Sequence, residues 1–173
     1  MATLPILFAP PPWKNQDLIV YHGTADIYVP ALTNGAVSVA KGRPGTDFGP
    51  GFYTTTLVRQ AHTWAAQISA AKPGTSPAVI EFTLQRNALA GLQSLAFVRE
   101  DFYADDFWSL IHYCRGGAIG HGRSGLSSYY DIVYGPVAAF WNQRIAITDA
   151  DQISFHTPAA EAILNLLPGK RII

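Results

Sequence analysis

The order of the apolar runs limits this chain more than any other property. Strand-like and helix-like segments do not alternate regularly along it. DLIVY at 17–21 is a short β-branched run that reads as a buried strand, and HGT after it opens a turn. DIYVPALTNGAVSV holds a proline and an Asn-Gly pair, so it reads as loop with one helical turn. KGRPGTDFGPG is a long Gly/Pro loop, and FYTTT starts a strand. TLVRQAHTWAAQISAAK is the clearest helix. Leu57, Ala61, Trp64, Ala65 and Ile68 recur at helical spacing, the threonines offer N-caps, and Pro73-Gly74 is a stop. SPAVIEFTL alternates as a strand, and LQSLAFV reads as strand or loop. DDFWSLIHYCRGG is a helix with Asp105 or Asp106 near its start and Gly116-Gly117 at its end. YYDIVYGPVA reads as a strand broken by Gly-Pro, ADQISFHT as another strand, and PAAEAILNLL as a C-terminal helix with Pro158 near its first position. This order argues against a doubly wound parallel sheet and for an α+β fold with antiparallel or mixed sheets.

The length of 173 residues suits one domain, since domains typically run to roughly 100–200 residues. Hydrophobic residues make up 49% and charged residues 14%, which favours a compact core over a disordered chain. The expected layout is an extended arm over residues 1–16, holding the helix-breaking triple proline, and a single domain over 17–173. The apolar run LPILFA has no basic residue before it and is too short to span a membrane, as are the later apolar runs. A soluble protein with no membrane partner is therefore the expectation. Acidic and basic residues balance at twelve each, so no basic stripe announces nucleic acid. The single cysteine, Cys114, excludes an internal disulfide and fits a reducing compartment.

Little along the chain has metal-ligand spacing. His112 and Cys114 lie two apart on a predicted helix and face different ways, and no CxxC or HxxxH occurs, so no metal site is expected. Cys114 reads as a buried helix cysteine before it reads as a nucleophile, and His62 as a solvated side chain. The loop KGRPGTDFGPG is not a P-loop, and GxGxxG does not follow a strand here. It nonetheless carries Lys41 and Arg43, and a basic loop can contact a pyrophosphate. His22 is set apart by its place. It ends a strand and is followed at once by Gly23 and Thr24, so it puts an imidazole beside backbone polar groups at a sheet rim.

Two shaped turns, Tyr21-His22-Gly23-Thr24 and Phe48-Gly49-Pro50-Gly51-Phe52-Tyr53, carry a resemblance. They resemble the ADP-ribosyltransferase superfamily in its diphtheria-toxin and poly-ADP-ribose-polymerase branch. The likeness is nearest to small bacterial domains with YHGT, DFGxGFYTT, a helix with an Ala/Trp pair, YDIVxGPVA and Q-x-x-F-x-T. Here the last two are Tyr130 to Ala138 and Gln152 to Thr157, so the likeness spans about Leu18 to Leu167.

This resemblance implies a split β-sandwich of two small, mostly antiparallel sheets with flanking helices, binding NAD as substrate in the cleft. It implies that His22 hydrogen-bonds a ribose hydroxyl and that backbone groups of Gly23 hold the nicotinamide amide, with glycine needed because a side chain would crowd the ring. It implies that Tyr53 stacks on the pyridinium. Tyr21, Thr24, Lys41, Arg43, Phe48, Gly49 and Phe52 complete the expected NAD-binding set, with Phe52 anchoring its strand in the core. The family's usual late glutamate aligns with Gln152, which accepts a hydrogen bond but carries no charge and is no base. That weighs against polymerase activity. It leaves mono-ADP-ribosyl transfer by a toxin or effector, NAD hydrolysis, or NAD binding alone. Asp149 and Asp151 are nearby substitutes, Asp151 the weaker since neighbours on a strand face opposite ways. Asp131 is another carboxylate, equally readable as a strand-edge solubiliser. The implied partners are a macromolecular acceptor, a protein side chain or a nucleic-acid base, and an inhibitory protein. The implied location is the cytoplasm, its own or a target cell's.

Overall fold

The computed structural model describes residues 16–98, 104–122, 128–166 and 168–173. Apart from Gln16, the expected arm lies outside them. Strands β1 (Leu18–Ala25), β3 (Pro77–Leu84) and β7 (Lys170–Ile172) form an antiparallel sheet in the order β1-β3-β7. Strands β2 (Phe52–Thr54), β6 (Ile145–Phe155), β5 (Ile132–Phe140) and β4 (Ser94–Ala96) form a second sheet in the order β2-β6-β5-β4, with only the β4–β5 pair parallel. The helices are α1 (Val29–Thr33), α2 (Val58–Ala70), α3 (Arg86–Leu89), α4 (Asp105–Arg115) and α5 (Pro158–Leu164). The fold is thus α+β with two mostly antiparallel sheets, as the irregular order of elements predicts.

Strand alternation sorts side chains into separate cores. One core joins both sheets through Val20, Phe52, Phe82, Ile153 and Phe155. The opposite face of the second sheet, through Val133 and Ala138, packs with Phe48, Phe97 and the α4 residues Phe107, Trp108 and Ile111. Helix α2 covers the outer face of the first sheet, where Ala61 and Ala65 meet Val79 and Tyr21. Trp64, expected on that apolar stripe, is instead 56% exposed. The contact here is close enough that only the alanines fit under the helix.

Local expectations are corrected at several points. The first strand does not end at His22 but runs through Gly23 and Thr24 to Ala25, paired with β3 throughout. Nor is β5 broken at Gly135-Pro136. It continues with a register shift after Pro136, where a missing N–H costs the ladder least. The threonines do not cap α2 directly, because its N-cap is Leu57. They act one step back: Thr55 Oγ1 accepts from Leu57 N at 3.1 Å, and Asp151 Oδ1 accepts from Thr56 N at 2.9 Å. Helix α4 begins as expected, with Asp105 and Asp106 in its first turn after Ala104 at the N-cap position.

Candidate site at the parting of the sheets

Among the described residues, the backbones of the two sheets are joined by one bridge, Tyr21 with Thr55. Tyr21 N–H donates to Thr55 O at 2.8 Å, and Thr55 N–H donates to Tyr21 O at 2.9 Å. Past this bridge the strands separate. A strand residue sends its N–H and C=O to the same side, and residues two apart share that side. Since Tyr21 sends both groups toward β2, Gly23 sends both that way too, beyond the point where β2 has turned off. No described residue outside the first sheet bonds either group. Buried backbone groups are nearly always paired, so an unpaired strand edge calls for a water or a ligand.

The Gly23 Cα faces elsewhere. A Cβ there would lie 2.1 Å from Ala61 O and 2.8 Å from Ala65 N. The expectation that glycine leaves room for a ligand ring is therefore corrected: glycine is demanded by the backbone of α2.

His22 fills the wedge between the parting strands. Its ring stacks on Phe52 at 4.3 Å, and Nδ1 lies 2.8 Å from Tyr53 O. A carbonyl only accepts, so Nδ1 carries the proton and Nε2 presents a lone pair. Burial pushes the imidazole below its ordinary value, with the bond to Tyr53 O opposing more weakly. The ring is neutral at physiological pH, and no described residue engages Nε2.

Tyr53 lies on the other face of β2 from Phe52. Its hydroxyl accepts from Phe48 N–H at 3.0 Å and donates to Gly49 O at 2.7 Å, with Thr46 Oγ1 at 3.0 Å. Burial raises this phenol well above its ordinary value. The hydroxyl is thus a tie across the turn at 46–49, and what Tyr53 offers a ligand is its half-buried ring. Phe48 is fully buried in one core and Phe52, 8% exposed, is buried in the other. Thr24 is 5% exposed, while Tyr21 packs on α2. Lys41 and Arg43 are exposed, with no side-chain partner among the described residues. Gly42 between them is pressed against Gly51, where a Cβ would meet Gly51 N at 2.0 Å, so the basic loop is pinned beside the turn that leads to Tyr53.

Gln152 and Asp151 face opposite ways, as strand alternation predicts. Gln152 shares a face with Tyr53, whose register partner is Ser154. Gln152 Nε2 donates to Asp47 Oδ2 at 2.7 Å and to Pro136 O at 2.9 Å. Asp151 accepts from Thr55 Oγ1 at 2.6 Å, from Thr56 N–H and from the Thr56 hydroxyl. It anchors the entry to α2. Asp149 is exposed. Asp131 is no mere solubiliser, for it accepts from Gln93 N–H at 2.8 Å and from the Thr157 hydroxyl at the start of α5.

Sequence reasoning missed a clamp on the turn at 47–51. His121 Nε2–H donates to Phe48 O at 2.9 Å while Nδ1 accepts from Tyr130 N–H. His156 Nδ1–H donates to Pro50 O at 2.7 Å while Nε2 accepts from the Ser154 hydroxyl at 2.7 Å. The rings lie 4.6 Å apart. Burial lowers both pKa values, that of His156 to about 3. Cys114 is buried and its thiol is pushed up to about 12 by burial, which suits packing and not nucleophilic attack.

Among the described residues, no group of His, Cys, Asp and Glu side chains gathers as metal ligands, and no helix is long and apolar enough to cross a membrane. A cavity of about 400 Å³ lies on the face of the second sheet that carries Ile153 and Phe155, lined by Leu18, Leu95, Ile132, Tyr134 and Ile153 among others. Its walls are largely apolar and it lies apart from the Gly23 edge.

Fold and site together define a small α+β domain whose sheets part at an unpaired, glycine-bearing strand edge. A family model described as "Protein of unknown function (DUF3990)" matches residues 18–148, and the chain belongs to that family. The match takes in both shaped turns and ends short of Gln152. No curated protein and no solved structure matches the chain.

Proposed function

We propose that this protein is an NAD-dependent mono-ADP-ribosyltransferase of the split-sandwich kind, acting in a cytoplasm as a toxin or effector. The observation that carries this reading is the Gly23 edge, with its N–H and C=O directed at the space that β2 vacates. A carboxamide has one N–H donor group and one carbonyl, the complement of such an edge. Nicotinamide is a carboxamide on a flat cationic ring, and the Tyr53 ring lies on the neighbouring strand. His22 Nε2, a free acceptor, suits a ribose hydroxyl.

In the reaction the bond from ribose C1′ to the pyridinium nitrogen breaks. Its electron pair goes to that nitrogen, which leaves as neutral nicotinamide. The ribose carbon takes on oxocarbenium character. A lone pair of a macromolecular acceptor then forms the new bond to C1′, and the acceptor's proton passes to solvent. Groups fixed toward the developing charge lower the barrier. A second reading, a module that holds NAD or hydrolyses it slowly, is favoured by one observation: Gln152, and not a carboxylate, stands on the Tyr53 face.

Nicotinamide release from NAD separates the readings. His22→Ala, Tyr53→Ala and Gln152→Ala are each expected to lower it by about 10²-fold or more if the site is catalytic. Saturable NAD binding without release, with and without lysate, would favour the module. No binding would sink both. Lys41→Ala with Arg43→Ala is expected to weaken NAD binding by roughly threefold to tenfold and to flatten its salt dependence. Unchanged affinity would remove the loop from the site.

A further inference from the structure

An amide has two N–H donors and one acceptor oxygen, and rotation by half a turn exchanges them. At Gln152 that exchange is blocked. Nε2 lies 2.7 Å from Asp47 Oδ2 and 2.9 Å from Pro136 O, and both oxygens only accept. Turning the amide over would set Oε1 against two acceptors. Asp47 cannot yield either, being 4% exposed. Its Oδ1 takes Arg115 Nε at 2.8 Å and Nη2 at 2.5 Å, and its Oδ2 also takes Ala138 N–H at 2.8 Å. Arg115 is itself fixed by Gly45 O at 3.1 Å. Both donors of Gln152 are thus consumed, and Oε1 is left without a partner among the described residues.

The geometry points to Gln152 as an obligate hydrogen-bond acceptor oriented by Asp47, a positioning residue. Resting on the reading above, in which the residue at 152 meets the donor ribose, it makes Asp47 the residue that holds Oε1 free and turned toward that ribose on the Tyr53 side. Hydrogen bonding of the amide to the Asp47 carboxylate draws electron density toward Oε1 and strengthens it as an acceptor. The same arrangement rejects a glutamate. A carboxylate at 152 would face Asp47 Oδ2 and Pro136 O with no proton between them. Gln152 is therefore specified by its neighbours and is not a weakened stand-in for a charged residue.

Gln152→Glu tests this directly. Facing Asp47, the introduced carboxyl is held protonated in the fold and has its ordinary value, about 4.3, in the unfolded chain. Its penalty is small near pH 5 and grows by up to about tenfold in the folding equilibrium per pH unit above that. The expected result is a melting midpoint close to wild type at pH 5 and clearly below it at pH 8. Adding Asp47→Asn, which supplies a donor at 47, is expected to recover much of the loss at pH 8, although Ala138 N–H then lacks its acceptor. A gap that does not change with pH, or no gap, would overturn the orientation.

The ligand half is read separately, well below the melting midpoints. Gln152→Leu and Asp47→Asn are expected to lower kcat for nicotinamide release by about 10²-fold with little change in KM. Wild-type release that Gln152→Leu leaves unchanged would overturn the ribose contact alone. Absence of NAD binding and release in the wild type would overturn the proposed function and the ribose contact with it.

Discussion

Gly23→Ala is expected to cost the fold about 3 kcal/mol or more, beyond the usual range for overpacking by one methyl group. The new Cβ would lie 2.1 Å from Ala61 O, 2.8 Å from Ala65 N and 3.0 Å from Ala61 C. All are backbone atoms, so no rotamer change relieves the contact, and shortening Ala61 or Ala65 to glycine would not help. The only remedy is to lift α2 off β1, which opens the layer of Ala61, Ala65 and Val79 to water. Denaturant unfolding reads this as a fall in midpoint with a similar slope. A midpoint within error of wild type would mean that α2 does not lie on β1 as described. Loss of NAD turnover in this variant would carry no information about nicotinamide, because a damaged fold explains it. For that reason the ligand is tested at His22 and Gln152, whose side chains are not wedged under a helix.

The same residue shows how far the sequence could be read. Short apolar runs between Gly/Pro turns were enough for the α+β class, because period-two and helical patterns differ over a few residues. The ends of elements were not. HGT looks like a turn since Gly punctuates chains, yet pairing with β3 carries the strand through it to Ala25. Propensity is local, while the ladder and the packing of α2 are not. Trp64 failed for a related reason: helical spacing marks a stripe but not how close the sheet comes, and at Gly23 only alanine fits. The opposed directions of Asp151 and Gln152 were legible from alternation alone. Their partners were not. Asp47 lies 105 positions from Gln152, and His121 reaches Phe48 O across 73. Asp47 stands in the conspicuous DFGPGFY run, but nothing in one sequence says which residue its carboxylate will meet.

Acidification is expected to loosen this protein well before ordinary carboxylates titrate. His22, His121 and His156 are all held neutral by burial, so each has a folded pKa below its unfolded value. Between the two values the unfolded chain binds more protons than the folded one, so stability falls as pH falls. The contribution is complete above about pH 6.5 and, for His156, is lost progressively toward its folded value of about 3. His156 is 6% exposed, so solvent screens it little. From pH 6.5 to 4.5 it alone should cost roughly 2 kcal/mol, the slope rising toward about 1.4 kcal/mol per unit as the unfolded imidazole becomes fully protonated. The structural reason is specific. Protonated His156 can still donate to Pro50 O but can no longer accept from the Ser154 hydroxyl, and protonated His121 can no longer accept from Tyr130 N–H. Two cations would also face each other across 4.6 Å. The turn that carries Asp47 and the Tyr53 tie is what these rings hold, so acid acts on the candidate site first. Urea unfolding at steps from pH 8 to 4.5 reads the effect, and His156→Gln, which cannot titrate, should remove about one proton from the slope. A flat stability between pH 6.5 and 4.5, or the same slope in that variant, would show that the clamp on the turn at 47–51 does not exist as described.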